Sequence, residues 1–209
     1  MRIFTKRAER YATLGPVSEE YYLTALGVGT VLIAGDVPVE LELPDADAVA
    51  PPSCPSSRWT LGLERYFAGE RVTFDLDVDA YAGVHGLTDF EREVYRALAA
   101  VPYGTALSYR DLAHAAGHPN AYRAAGSVMA RNELPVILPC HRVVRNDGRL
   151  GYYGDDPAWK ARLLRLEGVS VDGDRLTASG TGPDPGAGRA ADASRLGAVV
   201  VPCPRPCSS

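Results

Sequence analysis

Apolar and polar positions give the chain three textures. Over the first eighty residues the apolar positions come in short runs. Tyr21-Tyr22-Leu23-Thr24-Ala25-Leu26 and Thr30-Val31-Leu32-Ile33-Ala34 read as strands separated by Gly27 and Gly29, and Val37–Leu43 reads as a third. A Pro/Ser-rich loop follows over 44–57. Leu61, Leu63, Tyr66 and Phe67 then predict a short helix that Gly69 ends. The Gly-containing stretch 81–87 reads as a linker.

From residue 88 the spacing turns helical. Thr88-Asp89-Phe90-Glu91 has the capping-box pattern. Phe90, Val94, Ala97, Leu98 and Val101 follow at helical intervals until Pro102. Ser108 is placed to cap a second helix with Leu112, Ala113 and Ala116, which Gly117 ends. Asn120 is placed to cap a third, running to about Ala130. Two short helices joined across Gly117-His118-Pro119 are spaced like a helix-turn-helix. Pro135-Val136-Ile137-Leu138-Pro139 reads as a short strand or extended segment. Asp156-Pro157 starts a final helix over 157–167, with Trp159, Leu163, Leu164 and Leu166 on its apolar face. From Thr177 onward there is no aromatic residue, and Gly, Pro, Ala and Ser dominate. Such a stretch buries too little to offset its ordering entropy. The expected class is α+β: a small N-terminal sheet-plus-helix domain (1–80), a mainly helical C-terminal domain containing the helix-turn-helix (88–176), and a disordered tail (177–209).

Composition changes this picture little. The 209 residues are 46% hydrophobic and 23% charged, ordinary for a globular chain. No apolar run approaches the ~18–20 residues of a membrane span. The N-terminal Met-Arg-Ile-Phe-Thr-Lys-Arg is too interrupted by charge for a secretory signal, so a cytoplasmic protein is expected. Net charge is −4, which taken alone argues against a nucleic-acid partner. Its distribution argues otherwise. Residues 1–87 hold 7 Lys+Arg against 13 Asp+Glu, whereas 105–165 hold 9 against 5. A polyanion would meet the middle block.

Four cysteines stand at 54, 140, 203 and 207, with no CxxC pair and no cluster of zinc-ligand spacing, so no metal is expected. Cys140 alone has an adjacent histidine, in Pro139-Cys140-His141-Arg142. A free thiol with pKa ~8.5 is mostly un-ionised at neutral pH, and a neighbouring imidazole can take its proton. The bland alternative is an inert buried cysteine beside a chance histidine. A helix-turn-helix next to it weighs against that.

Residues 88–168 resemble the methylated-DNA–protein-cysteine methyltransferases, the O6-alkylguanine-DNA alkyltransferases. The resemblance runs through Pro102-Tyr103-Gly104-Thr105, Ser108-Tyr109, Gly117-His118-Pro119, Arg123-Ala124-Ala125-Gly126 and Asn132. It continues through Leu138-Pro139-Cys140-His141-Arg142-Val143-Val144, Asp147-Gly148, Tyr153, Lys160 and Glu167-Gly168. Leu63-Glu64-Arg65-Tyr66-Phe67-Ala68-Gly69 is similar to the family's interdomain segment, while 1–60 matches poorly. The resemblance implies single-turnover DNA repair without a cofactor. Cys140 would take the alkyl group of O6-alkylguanine irreversibly; O4-alkylthymine is left open. His141 would act as base through a water, and Glu167 would orient it. Asn132 would brace the turn, and Tyr109 would donate to the leaving base. Arg123 would intercalate where the base flips out. Ala121, Tyr122, Ala124, Ser108 and Arg142 would lie at the DNA. Small residues at 121, 124, 125 and 126 would let the helix approach closely. Val143, Tyr153, Gly154 and Asp155 would form the base pocket. The implied partner is double-stranded DNA bound through the minor groove, by a monomer acting at the nucleoid.

Four positions depart from the family's pattern. Asp155 puts a carboxylate in a loop that is usually Gly-rich. Tyr122 stands where a small residue is common. Glu133 replaces a common proline, which should loosen the turn after Asn132. Tyr95 replaces a common tryptophan, a packing change. The rival readings are an alkyltransferase-like lesion-binding protein without transfer, a helix-turn-helix regulator, and an unrelated cysteine hydrolase. The retained Cys140 disfavours the first of these.

Overall fold

Four consecutive positions, Val31 to Ala34, are buried. Strand side chains alternate between faces, so such a run needs cover on both sides of its sheet. The computed structural model, which describes residues 7, 9–11, 15–52, 55–154, 156 and 158–177, shows that cover. Cys54, Asp155, Cys203 and Cys207 lie outside the described residues, as does the expected tail from residue 178. The chain divides into two compact units, Met1–Tyr95 with Asn132–Leu138, and Arg96–Arg131 with Pro139–Ser209.

The first unit is built on an antiparallel sheet of β1 (Val17–Thr24), β2 (Gly27–Ala34) and β3 (Val37–Asp45), in that order. Gly27 and Gly29 lie inside β2, where the sequence pattern placed a break. The β1–β2 turn sits at Ala25-Leu26, with Thr24 opposite Gly27. Gly29 lies opposite Tyr22, and a Cβ there would fall 2.1 Å from the tyrosine ring. The Tyr22 hydroxyl donates to the Glu42 carbonyl at 2.7 Å. Helix α1 (Arg58–Phe67) is capped by Ser57 and packs against β1. Its Phe67 ring stacks on Tyr22, with centroids 5.8 Å apart. Leu61, expected on its buried face, is exposed; Trp59, Leu63, Tyr66 and Phe67 make that face. On the other side Leu32, Ala34 and Val39 pack with Tyr11 and with Val84 of helix α2 (Val78–His85).

Helix α2 occupies most of 81–87, the stretch that read as a linker. The Asp77 side chain accepts from the backbone N–H groups of Asp79 and Ala80, and Gly86, at φ 60°, ends the helix. Of the two glycines, Gly83 lies inside the helix and Gly86 marks its end.

Pro135–Pro139, expected to be a short strand or extended segment, instead turns over 135–137, and Asn132–Leu138 belongs to this first unit. Val136 sits at φ 73°, a region disfavoured for a β-branched residue. Ile137 N–H donates to the Pro135 carbonyl at 3.0 Å across it. Such backbone strain costs about 1–3 kcal/mol and persists only when its surroundings enforce it. The Asn132 side chain does so from both ends. Its carbonyl oxygen accepts from Leu134 N–H at 3.1 Å, and its amide donates to the Leu138 carbonyl at 2.9 Å.

The unit boundary falls within helix α3 (Asp89–Ala99), whose start carries the expected Thr88–Glu91 capping box. The second unit then holds β4 (Leu107–Ser108), α4 (Tyr109–Ala115), α5 (Tyr122–Ala130), a 3₁₀ turn (Cys140–Arg142), β5 (Val143–Val144), α6 (Ala158–Leu166), and a hairpin of β6 (Val171–Asp172) and β7 (Arg175–Leu176). α4 and α5 form the expected helix-turn-helix. Ser108 caps α4, but Ala121 precedes α5 without a side-chain cap, so Asn120 does not take the capping role expected of it. Ala106, Val144, Leu150, Ala161, Leu164 and Val169 form a core beneath the hairpin.

Candidate active site

A two-residue parallel pairing builds the site. Leu107 lies opposite Val143 and Ser108 opposite Val144. Tyr109, which opens α4, is thereby set beside the chain leaving Cys140–Arg142. Cys140 is buried and is not in a disulfide. It opens a tight turn in which Arg142 N–H donates to the Pro139 carbonyl at 2.9 Å.

Glu167 follows the last turn of α6, where a carboxylate meets the negative end of the helix dipole. The site compensates for this. His141 Nε2–H donates to Glu167 Oε1 at 2.7 Å. Arg142 donates from Nε to Oε2 and from Nη2 to Oε1, each at 2.9 Å. Gly104 N–H donates to Oε2 at 3.0 Å. Both His141 and Glu167 are fully buried. Burial alone would raise the Glu167 pKa, but His141 and Arg142 outweigh it and hold the carboxyl well below its usual range. Burial also pushes the His141 imidazole below its ordinary value, against the opposing pull of Glu167. The pair is therefore a neutral imidazole on an ionised carboxylate. An ionised carboxylate only accepts, so the proton sits on Nε2 and the lone pair on Nδ1. That is the tautomer a general base requires.

Tyr109 and Lys160 complete the cluster. Lys160 is buried, with its ammonium 5.7 Å from the Tyr109 ring centroid. Burial brings its pKa down to about 8, with the Cys140 thiol opposing. Burial raises the Tyr109 pKa, Cys140 raises it further, and Arg145 opposes. The family resemblance includes Lys160 but implies no role for it. The visible signal was a lysine at helical spacing with Leu163, Leu164 and Glu167, all of them buried. Trp159 and Leu166, expected on that face, are only half-buried.

The candidate base-pocket and DNA residues separate into groups. Val143 is buried in β5, Tyr153 is half-buried and Gly154 is exposed. Asp155 lies outside the described residues. Tyr122, Arg123 and Ala124 are exposed together on α5, while Ala121 is half-buried. The Arg123 guanidinium lies 5.8 Å from the Tyr122 ring centroid. Ala125 is core rather than surface, and Gly126 lies beside the Tyr109 ring, which an added Cβ would meet at an ordinary contact distance of 3.8 Å. Ser108 is not at the surface. It is buried, and its hydroxyl is engaged in the cap of α4 with Asp111. Arg142 is buried too, spent on Glu167 and on the Val101 carbonyl at 2.5 Å, because the buried carboxylate needs a counter-charge. Asn132 belongs to the first unit, as the first residue after Arg131 of the second. With Arg142 and Lys160 buried, two of the nine basic residues in 105–165 leave the surface charge. Among the described residues no group of three or more His, Cys, Asp or Glu is placed to hold a metal ion, and no helix is long and apolar enough to cross a membrane.

Residues 89–169 match the family model described as 6-O-methylguanine DNA methyltransferase, DNA binding domain. The chain is 35% identical over 158 residues to a methylated-DNA–protein-cysteine methyltransferase of Mycolicibacterium paratuberculosis, covering 71% of this chain and 92% of that one. It is 44% identical over 109 residues to the constitutive methylated-DNA–protein-cysteine methyltransferase of Bacillus subtilis, covering 52% of this chain and 63% of that relative. Among solved structures, the Mycobacterium tuberculosis OGT in complex with DNA superposes with a TM-score of 0.57 at 32% identity, over 71% of this chain and 92% of the other.

Proposed function

The chain belongs to the methylated-DNA–protein-cysteine methyltransferases, and from that membership we propose that it repairs alkylated DNA by moving the alkyl group of O6-alkylguanine onto Cys140. The observation that carries this reading is the buried Glu167–His141 pair, which joins the residue after Cys140 to a neutral, oriented imidazole.

The thiol proton passes to His141 Nδ1 through a water. Sulfur attacks the alkyl carbon in line, the S–C bond forms and the C–O6 bond breaks. Tyr109 passes its hydroxyl proton to the departing base, which leaves as neutral guanine, and the proton taken up by His141 returns through water to the tyrosinate. Lys160 holds positive charge beside the sulfur while it is a thiolate. The thioether is stable, so each molecule acts once. The substrate base is inside a duplex and must flip out, with Arg123 filling the vacancy. Exposure of Tyr122, Arg123 and Ala124 together on α5 supports that helix as the DNA face, entering the minor groove. The protein acts as a monomer, on the nucleoid in the cytoplasm.

The test is incubation with duplex DNA containing O6-methylguanine, followed by peptide mass spectrometry. Stoichiometric methylation of Cys140, abolished in Cys140→Ala, is expected. Repeated turnover, or transfer to Cys54, Cys203 or Cys207, overturns the mechanism.

A further inference from the structure

Glu133 stands where the family commonly has proline, and a looser turn was expected there. The structure shows Glu133 held by several tertiary contacts. The Glu133 carbonyl accepts from Leu41 N–H of β3 at 2.8 Å. Its carboxylate accepts from the Tyr11 hydroxyl at 2.8 Å and from Arg10 Nη1 at 3.1 Å. His85 Nδ1 of α2 lies 3.9 Å away. Tyr11 is itself buried, its ring edge-on to His85 with centroids 5.6 Å apart. The residue is thus fixed by groups from the N-terminal segment and from β3, with α2 alongside.

The chain around it needs such fixing. Glu133 directly follows Asn132, whose side chain clamps the turn ending at Leu138. The turn holds Val136 at φ 73° and buries Leu134, Val136, Ile137 and Leu138. Leu138 is followed by Pro139 and Cys140. A proline at 133 would restrict the backbone covalently. A glutamate supplies no such restriction, so here tertiary contacts must keep Asn132 and its clamp in place.

We propose that Glu133 is a positioning residue for the transfer reaction: anchored by Tyr11, Arg10 and β3, it holds the Asn132 turn that sets the approach of the chain to Cys140. This rests on the transfer reading, and the experiment separates the two. Single-turnover methyl transfer from an O6-methylguanine duplex is measured for wild type, Glu133→Ala, Glu133→Gln, Tyr11→Phe and the double variant Glu133→Ala with Tyr11→Phe. The saturating rate and the half-saturating DNA concentration are read separately, alongside hydrogen exchange of the 132–142 peptide. Glu133→Ala is expected to slow the saturating rate about tenfold and Tyr11→Phe about threefold, with half-saturation unchanged. The double variant should be no slower than Glu133→Ala, because both remove one interaction. Glu133→Gln keeps an acceptor for Tyr11 and should return to within about twofold of wild type. Exchange in 132–142 should quicken in Glu133→Ala and not in Glu133→Gln.

A wild-type saturating rate in Glu133→Ala, or an effect confined to half-saturation, overturns the inference. So does a loss that Glu133→Gln fails to restore. Should Glu133→Ala not fold, Tyr11→Phe, which removes one hydroxyl, decides by the same criteria. Failure of the wild-type protein to methylate Cys140 counts against the transfer reading instead. In that event the exchange comparison still decides whether Glu133 holds the turn.

Discussion

Arg142 lays its guanidinium along the Glu167 carboxylate, with Nε on one oxygen and Nη2 on the other, each at 2.9 Å. Both side chains are buried, and the third guanidinium nitrogen in contact reaches the Val101 carbonyl. The arginine therefore serves the same carboxylate that orients His141. Breaking one side of a buried ion pair leaves the other charge uncompensated. Arg142→Ala should lower unfolding stability by about 3–5 kcal/mol in urea melts. A residue that served mainly to grip phosphates would change stability little and DNA affinity much, so an unchanged melt with weaker DNA binding would contradict this assignment.

His141 and Glu167 also give stability a pH dependence of definite sign. Both have folded pKa values below their ordinary values, so the unfolded chain binds more protons than the folded one, and stability rises with pH. The His141 contribution is complete above its ordinary value of 6.5 and is lost as pH falls below it. That of Glu167 is complete above its ordinary 4.5 and is lost at still lower pH. Urea melts from pH 7.5 to 5 should show falling stability, with the first loss beginning near pH 6.5. His141→Gln should make this first limb shallower, the remainder coming from His85, whose imidazole burial also holds below its ordinary value. A flat wild-type profile across that range would show that the imidazole is not held neutral.

Much of this site was legible in the sequence because its parts are local. Pro139–Arg142 is one turn, and the Ser108–Asp111 cap and Gly117 punctuate α4 by short-range chemistry. What stayed hidden depends on burial. Arg142 and Ser108 have side chains that suit DNA, and nothing in their spacing shows that one is spent on Glu167 and the other on a cap. Val136 gives no local hint of positive φ, because β-branched residues avoid it and only tertiary enclosure imposes it. Helix α2 was missed because its glycines resemble a linker unless Asp77 is recognised as a cap. The continuous apolar run of β2 was read as a strand, but the cover on both of its faces comes from elements distant in sequence.

Lys160 should mark the pH–rate profile of transfer. Its pKa of about 8 means that it carries its charge at neutral pH and loses it as pH rises through 8. The wild-type rate should bend downward near pH 8 relative to a thiol-only rise, and Lys160→Met should lack that bend and transfer more slowly at neutral pH. Stability should move the other way. The unfolded chain binds this proton up to about pH 10.5, so below pH 8 the fold bears the cost of burying a charged amine. Lys160→Met should gain about 3–4 kcal/mol at pH 7, since each pKa unit corresponds to ~1.4 kcal/mol. A slower but less stable variant would show instead that the lysine serves mainly packing.

Arg123 should matter only when the base starts inside a helix. It is exposed on α5, outside the Cys140–His141–Glu167 cluster, with its guanidinium near the Tyr122 ring. If it fills the gap left by a flipped base, its removal raises the cost of flipping, a step worth a few kcal/mol, and leaves the chemical step alone. Arg123→Ala should therefore slow transfer from an O6-methylguanine duplex by at least about tenfold. Transfer from free O6-benzylguanine should be unchanged. Tyr122→Ala isolates the neighbouring ring. With Arg123 intact it should weaken duplex binding by a few-fold, reflecting ~1 kcal/mol of stacking or cation–π contact, again without effect on the free base. Equal losses on duplex and free base in Arg123→Ala would place the arginine in the chemistry itself and rule out the flipping role.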